Sequence, residues 1–128
     1  MTGGRILVVE DNALNLKLIR DVLQVGGYDV VEARSGEEGV HLAHDCSPDL
    51  VLMDLQLPGI DGVEALHQIR QDPVVGDVPV VAVTAFAMEE DRERAYADGF
   101  DGYLSKPISV RALPSQVDAF LVRGHPHG

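Results

Sequence analysis

Three carboxylates stand where aliphatic runs end: Glu10 and Asp11 follow RILVV, and Asp54 follows LVLM. Thr84 closes a further apolar run, VVAV, and Lys106-Pro107 follows GYLS. A residue placed just after a buried run is held by the core yet sits at its rim. Carboxylates gathered at one rim raise one another's pKa and resist ionising together. A hard divalent cation relieves that repulsion. Mg²⁺, or Mn²⁺ in its place, takes oxygen ligands, keeps several waters and commonly accompanies phosphate in sites with one or two carboxylates.

The elements that must position these residues follow from a hydrophobic period that keeps switching. Arg5–Val9 (RILVV) reads as a buried strand, and Ala13–Val25 as a helix with Leu14, Leu18, Val22 and Val25 on one face. Gly26-Gly27 stops that helix. Asp29–Ala33 is a second strand, and Ser35 with Glu38 makes a capping-box pattern for a helix running to about Asp45. Residues 49–53 (DLVLM) form a third strand, and Asp61 with Glu64 opens the next helix. Residues 78–83 (VPVVAV) are the fourth strand, followed by a charged helix over roughly 88–98 that stops at Gly99. A short strand near 102–104 and a helix bearing Leu113, Val117, Phe120 and Leu121 end the pattern. Pro114 falls within that helix, so either the helix begins near Leu113 or its first turn is bent.

Five strand–helix units with apolar strands predict an α/β fold, a parallel sheet covered on both faces. Right-handed crossovers leave few topologies, of which the flavodoxin-like order 2-1-3-4-5, a three-layer sandwich, fits best. That order makes strands one and three neighbours and puts the site beyond the carboxyl ends of the strands. Taken singly, each residue has a plainer role. An acidic pair after a strand caps a helix, Asp54 caps a turn, Thr84 is a good strand residue, and Lys106 is a surface lysine before a strand-ending proline. Their joint occurrence, in order at four strand ends, is what points to chemistry.

The stretches ILVVEDN, DLVLMDLQLPGIDG, VVAVTA and GYLSKP resemble the receiver domains of two-component response regulators over residues 5–122. VEDNALNLKL, VVAVTAFAM and YLSKPIS further resemble the stand-alone, DivK-type receivers of a cell-division phosphorelay. The resemblance implies that Asp54 accepts a phosphoryl group. It implies that Asp11 and Asp54 ligate Mg²⁺, with Gln56 giving its backbone carbonyl and Glu10 acting through a water. Glu10 replaces an Asp found in many relatives, and its longer side chain can still hold that water. Lys106 would pair with one phosphoryl oxygen and the Thr84 hydroxyl with another, while Tyr103 would be the switch aromatic. The Lys106–Pro107 bond would be cis, and Pro58 and Gly62 would shape the loop beside the acceptor. The implied donor is a sensor histidine kinase or a histidine phosphotransfer protein. The implied target is a protein bound through the fourth helix, fifth strand and fifth helix, by a monomer or weak dimer. A receiver used only as an interaction or phosphate-shuttling module is the nearest alternative.

Composition narrows the classes. Twenty-one acidic residues against ten Lys and Arg give a net charge of −11, which repels nucleic acid and anionic membranes. A single cysteine, Cys46, fits a reducing compartment, and the expected location is the cytoplasm. Residues 1–4 and 123–128 are expected to be flexible ends around one domain. A haloacid-dehalogenase-type phosphatase wants a second acid two residues after its nucleophile, and Gln56 cannot serve. A flavin carrier of the same fold wants a phosphate loop after strand one, where Glu10-Asp11 would repel the phosphate. The pairs His41/His44 and His125/His127 lack further ligands nearby and are read as solvated. The EEDRER run at 89–94 is read as a solvated helix face that shifts cheaply.

Overall fold

A computed structural model describes residues 4–86 and 88–123, the side chain of Arg123 excepted. The expectations for residues 1–3 and 124–128, including His125 and His127, lie outside the described residues. The elements run β1 (Arg5–Val9), α1 (Ala13–Val25), β2 (Asp29–Ala33), α2 (Gly36–Cys46), β3 (Leu50–Asp54), α3 (Gly62–Arg70), β4 (Val80–Thr84), α4 (Glu89–Asp98), β5 (Gly102–Ser105) and α5 (Leu113–Arg123). All five strands pair in parallel, in the order β2-β1-β3-β4-β5. The predicted fold class is the observed one.

Alternation along the strands divides the core in two. Leu7, Val9, Val51, Met53, Val80 and Ala82 face α2, α3 and α4, where they meet Ala43, Leu66 and Ala95. Ile6, Val8, Leu50, Leu52, Val81 and Val83 face α1 and α5, where they meet Leu16, Ile19, Leu113 and Val117. A sheet buried on both faces has no polar face, which is why its strands read as continuous apolar runs.

The capping signals operate with one difference. Ser35 Oγ accepts from Glu38 N–H at 3.1 Å and Asp61 Oδ1 accepts from Glu64 N–H at 2.9 Å. The return arm from Glu38 reaches Arg34 N–H (2.7 Å) instead of the cap residue's own N–H. Pro114 is resolved by the first of the two readings. The helix begins at Leu113, and a separate turn precedes it, held by Ser109 Oγ accepting from Ala112 N–H at 3.1 Å. Pro114 thus occupies the first turn, where a missing N–H removes no helical hydrogen bond.

The face that the pattern marks on α1 is the outer one. The buried residues of α1 are Leu16, Ile19 and Leu23, whereas Leu14 is 79% and Val25 90% exposed. Leu18 is also on the surface, and Val22 is only partly buried. The helix carries two apolar stripes, and the 14-18-22-25 pattern picked out the outer one. The spacing alone could not say which stripe meets the sheet.

Candidate functional site

Parallel strands that end at one level deliver their last residues to one rim. β1 and β3 pair with Val9 opposite Met53, so Glu10 and Asp54 emerge side by side. The pairing of β3 with β4 and of β4 with β5 adds Thr84 beside them, and the Lys106 N–H donates to the Thr84 carbonyl at 2.8 Å. Glu10 and Asp54 are each 2% exposed, although both are carboxylates. Asp11 stands at the mouth, exposed. Oxygens of Glu10, Asp11 and Asp54 all lie within 4.8 Å of one another.

Lys106 is the counter-charge. Its Nζ is 2.9 Å from Asp54 Oδ2 and 3.0 Å from Glu10 Oε1. Burial works against the ammonium, but the contacts with Asp54 and Glu10 outweigh it and hold the lysine pKa above its usual value. The other Asp54 oxygen accepts from the Gln56 N–H at 2.9 Å, and Glu10 Oε2 accepts from the Asn12 N–H at 3.1 Å. Asn12 also caps α1, its Oδ1 accepting from Asn15 N–H at 3.0 Å, so the acid pocket and the start of α1 share one residue.

One ammonium does not satisfy the cluster. Glu10 Oε1 is buried and lies out of line for a hydrogen bond from Lys106, with no other partner among the described residues. Burial first, and then contact with Asp54, push the Glu10 carboxyl up to about 7 despite Lys106 and the Asn12 N–H. A buried carboxylate oxygen that is ion-paired but accepts no hydrogen bond, amid three clustered acids, suits a hard cation. The residues present therefore fit a divalent metal.

The loops around the pocket are shaped by close approach. A Cβ on Gly62 would lie 2.5 Å from the Asp54 carbonyl oxygen, so only glycine lets α3 start this near β3. The Lys106–Pro107 bond is cis, as the sequence resemblance implied. Thr84, also buried, accepts at Oγ1 from the Phe86 N–H (3.1 Å). The Tyr103 hydroxyl donates to the carbonyl of the same Phe86. Two side chains expected to act together are thus joined through one backbone residue that no motif singled out.

A family model described as the response regulator receiver domain matches residues 6–118. The chain belongs to the receiver domain family of response regulators. Among similar proteins are the polar-differentiation response regulators DivK of Brucella ovis, 44% identical over 116 residues, and of Brucella anthropi, 43% identical. The Brucella ovis match covers 91% of this chain and 94% of that protein. A putative response regulator from Chloroflexus aurantiacus superposes with a TM-score of 0.87 at 31% identity, covering 94% of this chain and 98% of the other. Receivers belong to two-component signalling, and the Glu10, Asp11 and Asp54 cluster is of the kind a receiver uses around its phosphoacceptor.

The remaining sequence candidates are placed apart from this receiver's pocket. His41 Nε2 lies 3.0 Å from Asp45, and His44 Nδ1 lies 2.6 Å from Asp72, each a surface pair. Neither joins a cluster of metal-ligating side chains among the described residues. For Gln56 the contact seen is through its N–H, which donates to Asp54 Oδ1. Cys46 ends α2, and its carbonyl accepts from Arg5 Nη1 at 2.7 Å. No described helix is long and apolar enough to cross a membrane.

Proposed function

We propose that this receiver is a phosphoacceptor switch that takes a phosphoryl group on Asp54 from a histidine kinase or a histidine phosphotransfer protein. The observation that carries the reading is the buried Asp54 carboxylate held between Lys106 and the Gln56 N–H inside an acid cluster. In the transfer, an Asp54 oxygen attacks phosphorus, the P–N bond of the phosphohistidine breaks, and the imidazole leaves with the bonding pair and takes up a proton. Lys106 is already on Asp54 Oδ2 and meets the added negative charge with a charge-assisted contact. The Thr84 hydroxyl supplies a second hydrogen bond to a phosphoryl oxygen. Asp11, Asp54 and the Gln56 carbonyl would hold Mg²⁺ or Mn²⁺, with Glu10 acting through a bound water, and the ion supplies neutralisation of charge on the phosphoryl oxygens. The chain promotes only its own phosphorylation and dephosphorylation.

The exposed stripe of α1 gives the donor a place to dock. Leu14 and Leu18 start one turn beyond Asp11 and lead to a groove of about 340 Å³ lined by Val22, Val25, Val110 and Pro114. Exposed aliphatic residues spaced along one helix suit the apolar face of a partner helix, and the stripe begins three residues after Asp11. The signal leaves through α4, β5 and α5, which Thr84 and Lys106 adjoin.

Incubation with Mg²⁺ and a small acyl phosphate, followed by intact mass and peptide mapping, tests the reading. A single phosphoryl group should map to Asp54, and Asp54→Asn, nearly isosteric, should remove it entirely without unfolding the chain. Labelling of the Asn variant, or full labelling in excess EDTA, would sink the proposal, and a parent chain that takes no label at all would favour a purely protein-binding module.

A further inference from the structure

Between α4, β5 and the turn before α5 lies a cavity of about 470 Å³. Glu89, Arg92 and Tyr96 enter it from α4, and Tyr103, Ile108 and Gln116 from the opposite wall. We infer that this cavity docks a basic peptide segment of a partner protein, an apolar side chain entering between Tyr96, Tyr103 and Ile108 while flanking Lys or Arg residues lie along α4. The inference rests on the output face proposed above and adds the chemistry of what binds there.

The cavity itself accounts for the apolar anchor. Tyr96 is 47% exposed and Tyr103 is half-buried, so two rings line one opening with Ile108 beside them. Aromatic rings of this kind give large contact area at small entropic cost and recur at the centres of protein interfaces.

Charge decides the flanks. From Glu89 to Asp98 there are five acidic residues and two arginines, and Arg92 is partly spent on Glu89 at 3.7 Å. Glu89, Glu90 and Glu93 are all exposed. Across the cavity, Gly102 to Val122 holds two cations, Lys106, already engaged with Asp54 and Glu10, and Arg111. A second copy packed symmetrically on this face would bring acidic α4 against a wall nearly without cations, since a two-fold interface matches a patch with itself. A basic segment from a different protein meets complementary potential instead.

Two synthetic peptides test this, one with a central Phe-Leu anchor flanked by Lys and Arg, the other with every basic residue replaced by Glu. Each is titrated into the full chain loaded with Mg²⁺ and beryllofluoride and followed by backbone NMR. The basic peptide should shift α4, Tyr103 and Ile108, and its affinity should fall about tenfold in Glu89→Lys/Glu93→Lys. Asp45→Lys/Asp77→Lys, which reverses two exposed charges away from this face, should bind the peptide nearly as the parent does. Equal binding of the acidic peptide, equal loss in both variants, or shifts outside the cavity would overturn the inference. So would a concentration-dependent dimer formed through α4. Beryllofluoride that leaves the whole of α4 to α5 unshifted would instead remove the output face on which the inference rests.

Discussion

Helices α1 and α4 both leave the same rim of the sheet, yet they are built on opposite terms. α1 buries Leu16, Ile19 and Leu23 against the sheet and still shows aliphatic residues to solvent. α4 buries only Ala95, has no side-chain cap on its first turn, and apart from Ala97 is otherwise charged or polar. The first is anchored strongly and displays a sticky face. The second is anchored weakly, and segments with few buried apolar contacts open at low free-energy cost. A switch benefits from this division, because a donor needs a fixed platform whereas a response needs an element that moves.

The largest effect should separate the two stripes of α1. Leu16→Ala removes a fully buried side chain and should cost about 2–5 kcal/mol in urea unfolding. Leu14→Ala should change stability by no more than about 0.5 kcal/mol, since Leu14 touches mostly solvent. Its consequence lies elsewhere. Labelling by a small acyl phosphate should be unaffected, while transfer from a phosphorylated donor protein should slow. If Leu14→Ala unfolds the chain as readily as Leu16→Ala, the contrast between an inner and an outer stripe is wrong.

Next in size is a pH effect at Glu10, which touches α1 through Asn12 and β5 through Lys106. Its carboxyl titrates near 7 in the fold against 4.5 ordinarily, so the folded chain holds that proton more tightly than the unfolded one. The stabilising contribution is therefore fully present below pH 4.5 and disappears as pH rises through 7. Without divalent metal, stability should fall between pH 5 and 8 by up to about 3 kcal/mol, and Glu10→Gln should flatten this slope. The lowered carboxyls of Asp21 and Asp72 titrate below this window and do not confuse it. Apparent Mg²⁺ affinity should rise over the same range, because deprotonation completes the donor set. Metal-free stability that climbs from pH 5 to 8 to the same degree in the parent and Glu10→Gln would contradict the assignment.

The contrast between the helices also marks how far sequence reading reached. Strand order and the gathering of Glu10, Asp11, Asp54, Thr84 and Lys106 were legible because buried parallel strands write unbroken apolar runs, and each run announces its own end. The orientation of α1 was not legible, because two apolar stripes satisfy helical periodicity equally and only the sheet beneath chooses. Phe86 was hidden for a different reason. It acts through its peptide groups, which every residue type possesses, so no side-chain pattern could have named it. Pro114 did carry a signal in the sequence, and it became a wall of the groove beside α1.

The smallest predicted effect concerns how α4 hears of Asp54 at all. Thr84 Oγ1 accepts the Phe86 N–H, and Tyr103 donates to the Phe86 carbonyl, so a hydroxyl drawn toward a phosphoryl group carries Phe86 and the tyrosine with it. Thr84→Ala removes this link and one hydrogen bond to the phosphoryl group, each worth about 0.5–1.5 kcal/mol. Such an energy changes the ratio of switched to unswitched molecules by roughly two- to tenfold per bond, well short of the amount that separates 1:99 from 99:1. Thr84→Ala should therefore still be labelled on Asp54, with beryllofluoride-induced NMR shifts at α4 and Tyr103 reduced but present. Shifts at the start of α1 should be retained, since Asn12 couples to the pocket through Glu10 and not through Thr84. Tyr103→Phe, which keeps the ring and loses the hydroxyl, should blunt the α4 response similarly. Undiminished α4 shifts in both variants would mean that the two helices respond to Asp54 by one common route, and that the weak anchoring of α4 plays no part in the switch.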